Sequence, residues 1–145
     1  MGPPSSLKPS FWKLPQSITS LAIDSAVVTL VQVRDVMTRL PNLDNLELSG
    51  SLVALDRREL SGIGSVVRGR FGGQLALSGE CVHEDVINML LEIPSGLRFT
   101  AVRIYCAVRR LHSAVRAAEA CCETVVKLSL LVIFHGKFHP WYNEI

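Results

Sequence analysis

Cys121 and Cys122 stand side by side and are candidates for nucleophilic catalysis. A cysteine nucleophile needs a histidine to take its proton and a carboxylate to orient that histidine. The pair falls in an apolar stripe, where a thiol packs as a small hydrophobe. His135 and His139 have the H-x3-H spacing that puts two metal ligands on one helix face. Gly136 lies between them, Pro140 follows, and His83 and His112 are remote in sequence. Glu80, Glu84 and Asp85 could form a carboxylate site, but Glu84 and Asp85 better suit the first turn of a helix, where negative charge is favoured. No set of residues supplies nucleophile, base and oxyanion donors together.

Two other motifs invite ligand chemistry. Gly62-Ile63-Gly64-Ser65-Val66-Val67 resembles a dinucleotide loop, but Val67 replaces the third glycine and a helix, not a strand, is expected before it. Arg68-Gly69-Arg70 with Arg57 and Arg58, and separately Arg109-Arg110, could grip phosphate or carboxylate bidentately. Fifteen Lys and Arg against thirteen Asp and Glu leave a net charge of +2, too little for a general polyanion binder. These arginines read as a solvated outer face. No catalytic residue, cofactor or metal is assigned.

The elements that would position such residues repeat. A frame of apolar residues, Φ-x-x-Φ-x-Φ, recurs at Ile18/Leu21/Ile23, Leu43/Leu46/Leu48, Gly72/Leu75/Leu77, Phe99/Val102/Ile104 and Val125/Leu128/Leu130. The middle residues are 25, 29, 27 and 26 positions apart. Leu14-Pro15, Leu40-Pro41 and Ile93-Pro94 precede frames, and proline disfavours helix at the residue before it. Between frames the apolar period lengthens towards that of a helix. The spacing predicts helices over about 26–39, from the capping box Asp56–Glu59 with Leu60, Ile63 and Val67 facing in, and around Val86, Met89, Leu90 and Ile93. A fourth, capped by Ser113, would bury Val115, Ala118, Cys122 and Val125. The expected fold is α/β: a short leucine-rich-repeat-like solenoid of about five strand-helix units with a parallel sheet. A doubly wound sheet would favour longer strands and a glycine-rich first turn, and Asp24-Ser25-Ala26 has no glycine.

The best copy of the frame, Leu40-Pro41-Asn42-Leu43-Asp44-Asn45-Leu46-Glu47-Leu48, resembles the leucine-rich repeat. Over Phe11 to Ile133 the chain is similar to the repeat region of F-box/leucine-rich-repeat-like proteins of mushroom-forming fungi, through LPNLDNLELSGSLVALDRREL, GIGSVVRGRFGG and LLEIPSGLRFT. The resemblance implies a recognition module, in the family coupled by an F-box to a ubiquitin ligase through a Skp-type adaptor. No F-box is visible. The Asn or Cys expected three residues after each frame is replaced by Ala26, Ser51, Glu80, Ala107 and Ile133.

In a leucine-rich solenoid the residues between the Φ positions line a concave face. Stacking the frames displays Ala22, Glu47, Ala76, Arg103 and Ser129 in one row, and Asp24, Ser49, Ser78, Tyr105 and Leu131 in the next. Asn45, Gln74 and Lys127 precede the frames. The candidate partner-binding residues are therefore Asp24, Asn45, Glu47, Gln74, Arg103, Tyr105 and Lys127. Their mixed charge suits a protein partner and neither nucleic acid, membrane nor a small-molecule substrate. Tyr105 beside Arg103 has the residue types of an interface hot spot.

The 145 residues divide into a leader over 1–10, a repeat domain over 11–134 and a tail over 135–145. No uncharged stretch approaches the ~20 residues that span a bilayer, and no signal-peptide core is present. Gly2 and Ser6 fit a myristoylation site poorly because Pro3 and Pro4 intervene. Four cysteines without a paired spacing read as reduced, mostly buried thiols, placing the protein inside the cell, in cytoplasm or nucleus. A mean hydropathy of +0.31 fits a solenoid with bare apolar ends. The leading expectation is a non-enzymatic interaction module; the alternatives are a small α/β enzyme using Cys121/Cys122 or His135/His139, and a fragment of a longer repeat protein. Burial of Cys122 is the expected mark of the module.

Overall fold

The computed structural model describes residues 16–53 and 62–134, with side chains left out at 25–28 and 51–53. The 1–10 leader, the 135–145 tail, Leu14-Pro15, Asp56–Glu59 and both tail histidines lie outside the described residues. The fold is mixed α/β, with a five-stranded parallel sheet and three α-helices among the described residues. The strands are β1 (Ser20–Thr29), β2 (Asn45–Val53), β3 (Gln74–Ser78), β4 (Ala101–Ala107) and β5 (Lys127–Ile133). Their order in the sheet is their order in the chain. The helices are α1 (Leu30–Thr38), α2 (Glu84–Leu91) and α3 (Leu111–Ala120).

Each frame sits at the start of a strand, its first residue just ahead of it. Register joins Leu21, Leu46, Leu75, Val102 and Leu128 across the sheet, and Ile23, Leu48, Leu77, Ile104 and Leu130 beside them. Alternation along a strand sends both rows to one face. There Leu46, Leu48, Leu75, Leu77, Val102 and Ile104 join Val33, Met37, Val86, Met89, Leu90, Ala114 and Ala117 in one core. Among the described residues, no helix covers the other sheet face.

The third frame has Gly72 where a hydrophobe is expected, and Phe71 fills the gap. Its φ of +49° turns the ring inward, fully buried, edge-on to Phe99 at 5.8 Å between centroids. Gly69 leaves room, since a Cβ there would press on the Phe71 ring.

Units are also tied at the strands' entrance. The Thr19, Gly73 and Thr100 carbonyls each accept two backbone N–H groups from the next unit, Asp44 and Asn45, Thr100 and Ala101, and Val126 and Lys127 respectively. Side chains add to this: Asn42 Nδ2 donates to Gln16 O at 2.7 Å, Ser95 Oγ to Gly69 O at 3.1 Å and Thr124 Oγ1 to Phe99 O at 2.9 Å. A polar ladder thus runs before the strands, not after them where the usual repeat would have it.

Several helix expectations need correction. The first helix begins at Leu30, not near 26, because β1 continues to Thr29, with Val28 and Thr29 paired to Leu52 and Val53. Thr29 then closes a capping box with Gln32. Ile63 and Val67 are buried as expected, but Ile63–Val66 is a single 3-10 turn and not a helical face. The α2 expectation holds: Val86, Met89, Leu90 and Ile93 are buried, and Glu84 and Asp85 occupy its first turn. Its cap is His83, whose Nδ1 accepts from Asp85 N–H at 2.9 Å. Ser113 is not a cap. It lies inside α3, buried, because the helix starts at Leu111. The inner face is accordingly Ser113, Ala114, Ala117 and Cys121, while Val115 is 40% exposed and Cys122 is exposed.

Candidate functional site

On the open face, register stacks Ala22, Glu47, Ala76, Arg103 and Ser129 side by side. Ser78, Tyr105 and Leu131 form a second row over β3–β5, with Asp24 beside Ser49 on β1 and β2. Adjacent strands lie about 4.8 Å apart, so Glu47 and Arg103, two strands apart, stand roughly 10 Å from one another. Ala76, between them, is too short to fill that gap. A recess of about 450 Å³ results, bounded by Glu47, Ala76, Ser78, Arg103, Tyr105, Ser129 and Leu131. A second, of about 570 Å³, continues towards β1 over Ser20, Ala22, Asn45 and Gln74.

Charge is graded across this face. Asp24 and Glu47 lie on β1 and β2, Arg103 and Lys127 on β4 and β5, all four exposed. Among the described residues no ion pair joins Glu47 to Arg103. Tyr105 is 46% and Leu131 58% exposed, giving the recess an apolar wall at its β5 side.

The expected binding residues therefore share one face, with one difference of role. Asn45 is a cross-strand brace: its Oδ1 accepts from Gln74 N–H at 2.8 Å and its Nδ2 donates to Ser20 Oγ at 3.0 Å. A Cβ at Gly73 would strike the Asn45 carboxamide, so the glycine keeps that contact open. Asn45 and Gln74 line the entrance of the strands, while Glu47, Arg103 and Tyr105 occupy the middle.

The other motifs have structural uses. Gly62, at φ +69°, opens the 3-10 turn, and a Cβ on Gly64 would overlap the Met89 carbonyl. Both glycine N–H groups donate to the Glu92 carboxylate, at 3.2 and 2.9 Å. No free phosphate cradle is left there. Arg109 and Arg110 close on Glu80 at 2.9 and 2.8 Å, beyond the ends of the strands. The sequence groups Glu80 with Glu84 and Asp85 and sets Arg109-Arg110 apart, although separations of 29 and 30 residues match the repeat period.

Cys81, Cys106 and Cys121 are free and buried, and Cys122 is free and exposed. The expectation that Cys122 is buried is thus overturned: α3 ends at Ala120 and the following turn carries Cys122 outward. Burial pushes the Cys81 thiol up to about 11, with the Asp24 and Glu80 carboxylates adding to it. Burial likewise raises Cys106 and Cys121. A raised thiol is a poorer source of thiolate. Among the described residues no cluster of three or more His, Cys, Asp or Glu could hold a metal, and no helix is long and apolar enough to cross a membrane.

The chain matches no protein-family model, no curated protein and no solved structure.

Proposed function

We propose that the chain is a leucine-rich-repeat-like solenoid acting as a non-enzymatic, intracellular protein-interaction module, and that its open sheet face receives the partner. The observation that supports this best is the row Ala22–Glu47–Ala76–Arg103–Ser129, in register across all five strands. Rigid, parallel neighbours fix the spacing of the displayed side chains before any partner arrives, which limits the ordering entropy lost on binding. Arg103 and Tyr105 are the anchor residues, of the types that dominate interface energetics. The acidic side at β1 and β2 and the basic side at β4 and β5 select a partner segment of opposite polarity. In this reading the module serves substrate recognition in an F-box setting, with the coupling element supplied elsewhere.

Photo-crosslinking tests the surface. A photoreactive residue at position 76 or 129 is expected to capture one protein, and the same group at Glu119, on the outer side of α3, is not. Arg103→Glu with Tyr105→Ala should abolish capture while leaving the thermal midpoint unchanged. Capture that survives this double change, or that is equal from position 119, removes the open face as the binding surface. Recovery of a Skp-type adaptor in the crosslinked product would support the F-box setting.

A further inference from the structure

The stripe Val115–Ala118–Cys122 has the apolar spacing of a buried helix face, yet it is not the face α3 turns to the core. Arg116 Nη2 donates to Asn88 Oδ1 on α2 at 3.0 Å, which fixes the flank of α3 that looks back along the sheet. At 100° per residue, Val115, Ala118 and the following Cys122 lie on the opposite flank, looking past the last strand. Among the described residues nothing covers that strand in the same direction. Leu128 and Leu130 belong to the core-facing rows but are 51% and 42% exposed. Val126, Leu131, Ile133 and Phe134 beside them are 88%, 58%, 37% and 67% exposed.

We infer that this end of the sheet is a self-association surface, on which β5 pairs antiparallel with β5 of a second copy of the chain. Three observations carry the choice of occupant. Among the described residues the outer edge of β5 has no partner strand, and apart from Lys127 at its start the strand lacks the proline, bulge or charge that protects edge strands; residues 128–134 carry no charge at all. The strand is compatible with itself: centred on Leu130, antiparallel pairing sets Leu128 against Val132 and Lys127 against Ile133, so no like charges meet. The area is also sufficient. At their fractional exposures Leu128, Leu130, Leu131 and Ile133 of the strand, with Val126 and Phe134 flanking it, leave roughly 600 Å² of apolar surface in water, the upper end for isolated monomers. Two copies that covered all of it would bury at most about 1,200 Å², where specific interfaces begin. Joining β5 to β1 of another copy fits less well, because Leu21 and Ile23 at that edge are already half-buried.

The pairing keeps both sets of helices on one side of a ten-stranded sheet and closes the assembly at two copies. The open face with Glu47 and Arg103 continues across it, so a partner there meets two recesses related by a two-fold axis.

Sedimentation of the full chain across concentrations tests the inference. The wild type is expected to move from 15.9 kDa towards twice that mass, with a midpoint between about 1 and 100 μM. Leu128→Lys should raise the midpoint at least about tenfold. Alkylation of Cys122 should slow as the wild type associates and stay constant in the variant. If Leu128→Lys does not fold, Leu131→Lys takes its place, since that residue points away from the core. A wild type that stays monomeric overturns the inference, as does mass that grows beyond two copies through head-to-tail addition. A dimer that neither variant weakens places the interface elsewhere and overturns it equally. A monomer whose Cys122 is slow at every concentration would mean that a segment of the same chain covers the face.

Discussion

The Glu92 carboxylate, just past the end of α2, accepts the Gly64 N–H at 2.9 Å and the Gly62 N–H at 3.2 Å, clamping a turn 28 to 30 residues earlier in the chain. Glu92→Ala should cost about 1–3 kcal/mol in urea unfolding, because two backbone donors lose a charged acceptor. Gly64→Ala should cost about as much for a different reason: its Cβ would overlap the Met89 carbonyl, and backbone must shift. The double variant should cost less than the sum, since both changes release the same turn. Full additivity would show that the clamp and the close approach are independent.

The ladder at the strand entrances makes a second prediction. Asn45→Ala removes a donor and an acceptor that link three strands, and Thr124→Val removes the hydroxyl bound to Phe99 O. Each should lower stability by about 1–2 kcal/mol. Amide exchange should quicken first at Gln74 in the Asn45 variant. Uniform acceleration through the sheet would instead indicate a purely global effect.

Phe71 and Phe99 share an edge-on contact in the core. Phe99→Ala should cost about 3–5 kcal/mol, the usual range for a buried aromatic. Phe71→Leu should be the milder change, since the side chain still reaches into the core, although leucine meets the same positive φ. Thermal denaturation of both variants ranks them, and a larger loss for Phe71→Leu would locate the strain in the side chain rather than the backbone.

The thiols make a prediction in pH. Unfolded Cys81 loses its proton near 9 and folded Cys81 near 11, so between those values the unfolded chain binds fewer protons. Stability contributed by keeping the thiol protonated is therefore complete below pH 9 and declines as pH rises towards 11. Cys81→Ala should flatten that decline whatever it does to stability at neutral pH. With iodoacetamide at pH 8, Cys122 should react first and the three buried cysteines only on unfolding.

Exchanging the charges of Glu47 and Arg103 is the last test. Both are exposed, so the swapped double variant should stay within about 0.5 kcal/mol of the wild type. Partner capture should fall by an order of magnitude or more if the charge gradient sets polarity. Unaltered affinity would assign recognition to Tyr105 and Leu131 alone.

The sheet was legible because its signal is repeated. Five frames at near-constant spacing place all five strands, and period-two alternation identifies Glu47, Arg103 and Tyr105 as displayed. The helices were harder to read for local reasons. Val27, Val28 and Thr29 are β-branched and serve equally in a strand, so apolar spacing alone could not end β1 at Thr29. The α3 stripe misled in a more instructive way: Val115 and Cys122 are apolar but flank the inner face, and apolar periodicity alone does not say which flank of a helix meets the sheet. Ties such as Glu80 with Arg109 and Arg110, or Asn45 with Gln74, needed the register, since each joins residues one repeat apart.

Sequential strand order also dictates how the molecule meets mechanical load. Each strand holds only the strands before and after it, so tension on the chain ends releases an edge unit without disturbing the middle. Every release frees about 25–29 residues, a contour gain of roughly 80–100 Å at ~3.4 Å per residue. The protein should therefore yield to force in short, nearly equal steps and recover them in reverse order when the load is removed.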